Sequence, residues 1–504
     1  MEGPGAAAEK GGLRLAVVCA IGIGVFILGH FAAKPGMDYV LDDWSNLKDA
    51  FGVPRWIHPT RQVSLLCNIW GFRLFGTHPE AFCLLSMVVH SACLLLLMLT
   101  AWRLTRSLAG TLVAGLVLAS APTLYENIQW PTMIVGAAVC ALLPYLGCLY
   151  CWVRHVQERR TGFLVASALL FALAISSYET GLFLPLAFPW LARGFVRRDW
   201  VRVVKVFGIC CLPPVLWRAT SAFGLADFGL ASQFFPASDP AVLFWNARQG
   251  VSWLVGPEAW RVWGRGFEGL ELVEPVLVAV SGLALAAGLF IASVLAVRHF
   301  NSWMIPAGLG RVLAFGLTAT VAGLLPMVPA YSCSRLMYIP VAGLALAASA
   351  VAARFNPRYT LPLFAMLAAL GMASNQGTSA QWSEAGVFGR AMYNQLNEPS
   401  VRAEWERSEV IFFDTRGLPR NRPEDPVPAC GNVELLRGFV TGTILPPTRT
   451  DGTPAPVTVL DFECDARIEG DVLKWHERYR PDLRHETPQD RVFVVDCRDF
   501  WRRL

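Results

Sequence analysis

Two adjacent carboxylates, Asp42 and Asp43, stand in the run Met37-Asp38-Tyr39-Val40-Leu41-Asp42-Asp43-Trp44, just past the first long apolar segment. A carboxylate at the foot of a membrane helix is placed to take a proton from a hydroxyl where lipid meets water. Uncompensated charge there is costly and usually serves binding or chemistry, the plain alternative being a solvated loop start. Further charges recur in the connections. Arg55, His58 and Arg61 follow in the same loop, and Glu126 is the sole acid of Leu124-Tyr125-Glu126-Asn127-Ile128-Gln129-Trp130-Pro131. Glu179 is the sole acid of Ser176-Ser177-Tyr178-Glu179-Thr180-Gly181, and Arg335 is the sole cation of Tyr331-Ser332-Cys333-Ser334-Arg335-Leu336-Met337-Tyr338. Arg218 closes another apolar segment. Guanidinium forks suit a phosphate because they donate paired hydrogen bonds.

The elements that must position these groups are membrane helices. The 504 residues are 54% hydrophobic and 16% charged, with mean hydropathy +0.43, against roughly 25% charged for a soluble domain. The apolar runs are continuous rather than alternating, which excludes a closed barrel. About eleven are long enough to read as spans: 15–33, 80–101, 108–123, 131–153, 162–177, 181–192, 203–217, 272–297, 311–330, 336–353 and 360–373. The pair 162–177 and 181–192 is short and also reads as one broken re-entrant pair. Basic residues alternate between connections. Lys10 and Arg14, Arg103 and Arg106, Arg154 to Arg160, Arg193 to Lys205, Arg298 and Arg311, and Arg354 and Arg358 form one set. The positive-inside rule makes that set cytoplasmic, with the N-terminus inside and the first segment an uncleaved anchor. Asp42, Asp43, Glu126, Glu179, Arg218 and Arg335 then share the outer side with the loops 34–79 and 218–271. Nucleotide-activated donors are absent there, so a donor must arrive activated within the membrane.

Residues 1–390 read as the membrane domain and 391–504 as a small extracytoplasmic α/β domain. Its strands are expected at Val410-Ile411-Phe412-Phe413, Val457-Thr458-Val459-Leu460 and Arg491-Val492-Phe493-Val494-Val495, with a short helix or loop from Gly431 to Val440. Cys430, Cys464 and Cys497 leave room for one disulfide and one thiol. The other cysteines lie mostly in apolar runs as small hydrophobes. The net charge of +5 is spread over helix ends rather than a stripe, which argues against nucleic acid. In loop 218–271, Phe244, Trp245, Trp253, Trp260 and Trp263 alternate with Arg248, Arg261 and Arg265, a mixture suited to a headgroup layer or a lipid-guiding helix pair. His90, inside the second span, reads first as a packing residue.

A carboxylate base and phosphate-binding arginines at a lipid interface fit glycosyl transfer from a polyprenyl-phosphate sugar to a hydroxyl. The order of motifs resembles the polytopic glycosyltransferases of the C-type fold (GT-C), which include protein O-mannosyltransferases and bacterial lipid-linked-sugar transferases. The resemblance spans roughly 15–390. It rests on Asp42-Asp43, the apolar run Arg61 to Leu66, the turn Phe75 to Pro79 before His90, the turn Glu126 to Trp130, the run Ser176 to Pro185, and Arg335, Tyr338 and Pro340. The chain departs from many relatives in having Arg61-Gln62 for Arg-Pro and Tyr178-Glu179 for Lys-Glu. The resemblance implies an all-α polytopic fold of the GT-C type and an inverting transferase with Asp42 or Asp43 as general base. Arg61, Arg218 and Arg335 would hold the donor phosphate. Glu126, Glu179, His58, Trp44 and Tyr338 would meet sugar or acceptor. No cofactor is required by this reading, and a divalent metal stays open. The expected partners are a polyprenyl-phosphate sugar, an acceptor protein or envelope glycan, and the bilayer, in a setting such as a bacterial inner membrane.

Rival readings are a transporter or flippase for a lipid-linked saccharide, an extracytoplasmic glycan polymerase or ligase, and an anchored protein whose tail is the working part. A transporter is expected to place ionisable groups at mid-membrane and to show internal repeats.

Overall fold

Among the described residues, apolar runs that begin at or after a proline or a small polar residue, as at Pro79, Ser107 and Pro131, become helices in the computed structural model. The structure describes residues 4–32, 62–75, 78–192, 194–222, 240–273, 276, 307–328, 336–414, 449–451, 453, 456–460, 466–477 and 480–496. The helices are α1 (Pro4–Phe31), α2 (Gln62–Phe75), α3 (Pro79–Thr105), α4 (Leu108–Ser120), α5 (Tyr125–Gln129), α6 (Pro131–Glu158) and α7 (Thr161–Ile175). After them come α8 (Arg197–Ala222), α9 (Pro240–Val255), α10 (Pro257–Glu268), α11 (Ala307–Leu324), α12 (Tyr338–Arg354), α13 (Pro357–Leu396) and α14 (Pro399–Trp405). Prolines open α3, α9, α10, α13 and α14, where a missing N–H costs nothing. The Ser107 hydroxyl caps α4 by accepting from the Gly110 N–H at 3.1 Å.

Among the described residues four helices are long and apolar enough to cross a membrane: Gly12–Phe31, Pro79–Thr105, Pro131–Glu158 and Gly308–Met327. The bent pair Leu108–Ser120 and Pro122–Gln129, with 58° between its halves, makes a fifth if taken as one span. Most of the expected span 272–297 lies outside the described residues. Instead of two full crossings, 162–177 and 181–192 become the 15-residue α7 and a seven-residue 3-10 segment, Leu184–Trp190. At 1.5 Å per residue α7 is about 22 Å long, short of a ~30 Å hydrocarbon core.

The core runs through the helices: Leu97 and Met98 of α3, Val113 and Ala114 of α4, Leu146 and Trp152 of α6, Phe315 of α11 and Leu346 of α12 are all fully buried. Several contacts need glycine, among them two between neighbouring helices. A Cβ on Gly316 of α11 would lie 2.7 Å from the Gly343 carbonyl of α12, and one on Gly377 of α13 would lie 1.8 Å from the Gly266 carbonyl of α10. Small residues there let helix backbones touch. Within α6, Ile134–Leu142 is wound as a π-helix, a rare form often found near functional sites.

The last expected span, 360–373, continues well beyond its expected end. α13 is unbroken for 40 residues, about 60 Å, and its polar run from Ser374 to Ser383 is almost wholly buried. Polarity marked this run as leaving the membrane, yet its side chains bond to carbonyls of neighbouring helices and stay inside.

Beyond α14 the chain forms two three-stranded sheets. β1 (Val410–Asp414) lies between β2 (Val457–Leu460) and β6 (Val492–Asp496), all parallel. β3 (Arg467–Glu469), β4 (Val472–Glu477) and β5 (Arg480–Pro488) form an antiparallel sheet. The expected strands at 410–413, 457–460 and 491–495 thus join one sheet. Gly431 to Val440 and all three tail cysteines lie outside the described residues.

Candidate functional site

The end of α1 is where the chain departs toward the acid pair, and a helix end leaves its last carbonyls unbonded. Here they are met from two sides. The His30 carbonyl accepts from Gln129 Nε2 of α5 at 3.0 Å and from Ser379 Oγ of α13 at 2.8 Å, and the Leu28 carbonyl accepts from Gln376 Nε2 at 3.3 Å. The His30 ring is buried as well. Its Nε2 lies 3.2 Å from the carbonyl oxygen of Ala119, near the end of α4, and 3.1 Å from the Asn375 amide. The polar run of α13 is therefore, in part, a clamp on the last turn of α1.

The same region holds the turn with Glu126. Every residue from Pro122 to Pro131 is buried, so the turn read as a short outer connection is packed inside the bundle. The Tyr125 hydroxyl donates to Glu126 Oε1 at 3.2 Å, and the Tyr125 ring lies 5.8 Å from that of Trp382. Two residues of α3 hold the turn from below: Ser86 Oγ donates to the Ile128 carbonyl at 2.8 Å, and His90 Nε2 lies 2.9 Å from the Asn127 carbonyl oxygen. His90 Nδ1 is 3.2 Å from the Tyr338 hydroxyl at the start of α12. A carbonyl only accepts, so Nε2 carries the proton, and with a single proton on the ring Tyr338 donates to Nδ1. His90 thus packs, as its apolar setting suggested, and also joins the Glu126 turn to the helix that begins three residues after Arg335.

The turn of Glu179 lies elsewhere. It is a 3-10 turn, Glu179–Gly181, beside Tyr145, whose hydroxyl donates to the Tyr178 carbonyl at 2.7 Å. Tyr145 is at the middle of the span Pro131–Glu158, while the Glu126 turn precedes its first residue. The two acidic turns therefore stand at different depths. Gly181 is needed there, since a Cβ would lie 2.6 Å from the Tyr145 ring.

Asp42, Asp43, Trp44, His58, Arg61 and Arg335 lie outside the described residues, and only the backbone is described for Glu179 and Arg218. Gln62, next to Arg61, opens α2. Among the described residues no group of three His, Cys, Asp or Glu is arranged to hold a metal. The aromatic loop divides: Trp253 is 2% exposed and belongs to the core, whereas Trp260 is 69% exposed.

Sequence reasoning missed His30, Gln129 and the residues Asn375 to Trp382. His30 was available as a signal, being an imidazole within an apolar run just before the acid pair. The polar run had a visible signature, Ser-Asn-Gln-Gly-Thr-Ser-Ala-Gln-Trp-Ser, but its composition reads equally as a surface segment.

No protein-family model matches the chain, and no curated protein matches it. Among solved structures the chain is similar to ArnT from Cupriavidus metallidurans in the apo state, at 12% identity over 89% of this chain and 90% of that one, with a TM-score of 0.38. It is also similar to ArnT from Cupriavidus metallidurans bound to undecaprenyl phosphate, at 13% identity over 88% and 89%, with a TM-score of 0.36.

Proposed function

We propose that this protein is a membrane glycosyltransferase that moves a monosaccharide from a polyprenyl-phosphate donor to an acceptor hydroxyl on the extracytoplasmic side. The observation that carries the reading is the convergence of the α1 end, from which the chain leads to Asp42 and Asp43, with the buried Glu126 turn and the start of α12 after Arg335. The end of the helix that precedes the acid pair and two segments of the motif order, the Glu126 turn and the start of α12, are tied together by named hydrogen bonds.

In this reading Asp42 takes the proton of the acceptor hydroxyl, with Asp43 orienting the acceptor. The acceptor oxygen attacks the anomeric carbon as the bond to the phosphate oxygen breaks, which inverts the centre. The lipid phosphate leaves with the electron pair, and Arg61, Arg218 and Arg335 stabilise its growing charge. Glu126, His58 and Trp44 contact sugar or acceptor, and Glu179, at its different depth, is left out of that contact. Tyr338, whose hydroxyl is engaged by His90, contributes a positioned wall to the site. The acceptor is a surface protein or an envelope glycan.

The test is transfer of labelled sugar from a panel of polyprenyl-phosphate monosaccharides to envelope extract by the purified protein, beside Asp42→Asn and Asp43→Asn. Loss of a general base should slow transfer by about 10²–10⁴-fold in one variant. Transfer that survives both changes removes the acid pair from the chemistry. The buried ionisable side chains His30 and His90 favour one second reading, a lipid-linked saccharide transporter. Movement of labelled lipid across proteoliposomes without sugar transfer would select it.

A further inference from the structure

Most of the polar run of α13 has a structural task. Ser374 Oγ donates to the Trp263 carbonyl of α10 at 3.3 Å and Gln381 Nε2 to the Arg265 carbonyl at 3.1 Å, while Gln376 and Ser379 cap α1. Four residues of the run keep an unmatched atom among the described residues: Gln381, whose side-chain carbonyl oxygen lies on the face that meets α10, and three others. One end of the Asn375 amide touches His30, but its other end has no partner among the described residues, and neither the Thr378 hydroxyl nor the Trp382 indole N–H has one. All three are buried, at 1%, 3% and 3% exposure. An unmatched buried polar atom is destabilising, and each is normally paired.

Their spacing puts them together. Positions 375, 378 and 382 fall within one stripe of a 3.6-residue helix, separate from the face that meets α10. The stripe continues to Gly371, where a Cβ would lie 2.0 Å from the Ser120 carbonyl, so it faces the bend between α4 and α5. At its other end the Trp382 ring meets Tyr125, whose hydroxyl is bonded to Glu126. An amide end, a hydroxyl and an N–H donor, aligned on the stripe whose Trp382 ring meets the Tyr125 of the Glu126 turn, match a group carrying several hydroxyls, each of which both donates and accepts.

We propose that Asn375, Thr378 and Trp382 form a subsite for the sugar of the lipid donor, seated between α13 and the Tyr125–Gln129 turn. This deepens the transferase reading and rests on it. The stripe specifies the sugar, while the lipid phosphate is held elsewhere. α13 thus caps α1 with one set of polar residues and reads the sugar with another.

The test measures binding of two lipids to the purified full-length protein: undecaprenyl phosphate, and the undecaprenyl-phosphate monosaccharide bound most tightly in a panel of hexose and pentose donors. Thr378→Val and Trp382→Phe should each weaken the sugar-bearing lipid by about 2- to 12-fold per lost hydrogen bond and leave undecaprenyl phosphate unchanged. Thr378→Ser, which keeps the hydroxyl, should bind as the parent does and separates ligand contact from a packing fault. Unchanged binding of the sugar-bearing lipid in both variants overturns the subsite. Equal weakening of both lipids also overturns it, since that marks a structural role. If the unaltered protein binds neither lipid, the transferase reading itself fails and the subsite falls with it.

Discussion

The imidazole of His90 accepts the Tyr338 hydroxyl proton at 3.2 Å while donating to the Asn127 carbonyl at 2.9 Å, and so joins residues 248 apart in sequence on one side and 37 apart on the other. All three groups are buried, so the loss of any one leaves a polar partner unmatched. Tyr338→Phe should cost about 1 kcal/mol. In a double-mutant cycle with His90→Phe the coupling should be about 0.5–3 kcal/mol, read from denaturant unfolding in micelles. Independent effects would show that the bond does not join the two elements. A raised donor KM at unchanged stability would instead put Tyr338 in contact with substrate.

The contact between α10 and α13 depends on the absence of a side chain. Gly377→Ala places a methyl group against the Gly266 backbone, which cannot move aside as a flexible side chain would. The variant should lose about 1–3 kcal/mol. Gly24→Ala, where a Cβ meets nothing within 4 Å, should be neutral or slightly stabilising, since Ala is the better helix former. Thermal unfolding of the two beside the parent protein checks the contrast.

Trp253 and Trp260 should separate in experiment as they do in the structure. Trp253→Ala empties a core position and should destabilise by about 3–5 kcal/mol. Trp260→Ala should change stability by less than about 0.5 kcal/mol and raise the KM for the lipid donor if the outer face of α10 guides lipid. An unchanged KM removes α10 from that role.

In the tail, Glu406 Oε1 accepts from Arg402 Nε at 2.8 Å, from the Thr450 hydroxyl at 2.8 Å and from the Thr450 N–H at 3.0 Å. Arg402 first, and Thr450 with it, hold this carboxyl below its ordinary value of 4.5. A carboxyl whose native pKa is lowered stabilises the fold fully above the unfolded value and loses that contribution as pH falls through the native one. Glu406→Gln should therefore speed amide hydrogen exchange at Thr450 at neutral pH. The difference from the parent protein should vanish at acid pH, well below 4.5. A difference that persists there would trace to packing rather than charge.

The local elements were legible in the chain because they depend on local causes. Continuous apolar runs with proline at their first turn, as at Pro79 and Pro131, must form helices to satisfy their backbone in lipid. The β-branched runs at 410–413 and 492–495 pair as strands. The acids and arginines at segment ends, and the motif order they build, are also visible without coordinates.

Tertiary structure decided what those signals do inside the bundle. The fate of Ser374 to Ser383 turned on whether carbonyls stood near enough to accept their protons, and the relevant carbonyls, those of Leu28 and His30, lie 348 and 349 residues away in sequence. The burial of the Glu126 turn and the deeper placement of the Glu179 turn follow from a 58° bend and from Tyr145, neither of which has a periodic signature. Hydropathy records the cost of moving a side chain from water to lipid. It carries no record of a hydrogen-bond partner supplied by a distant helix, and that partner determined where the polar residues of this protein reside.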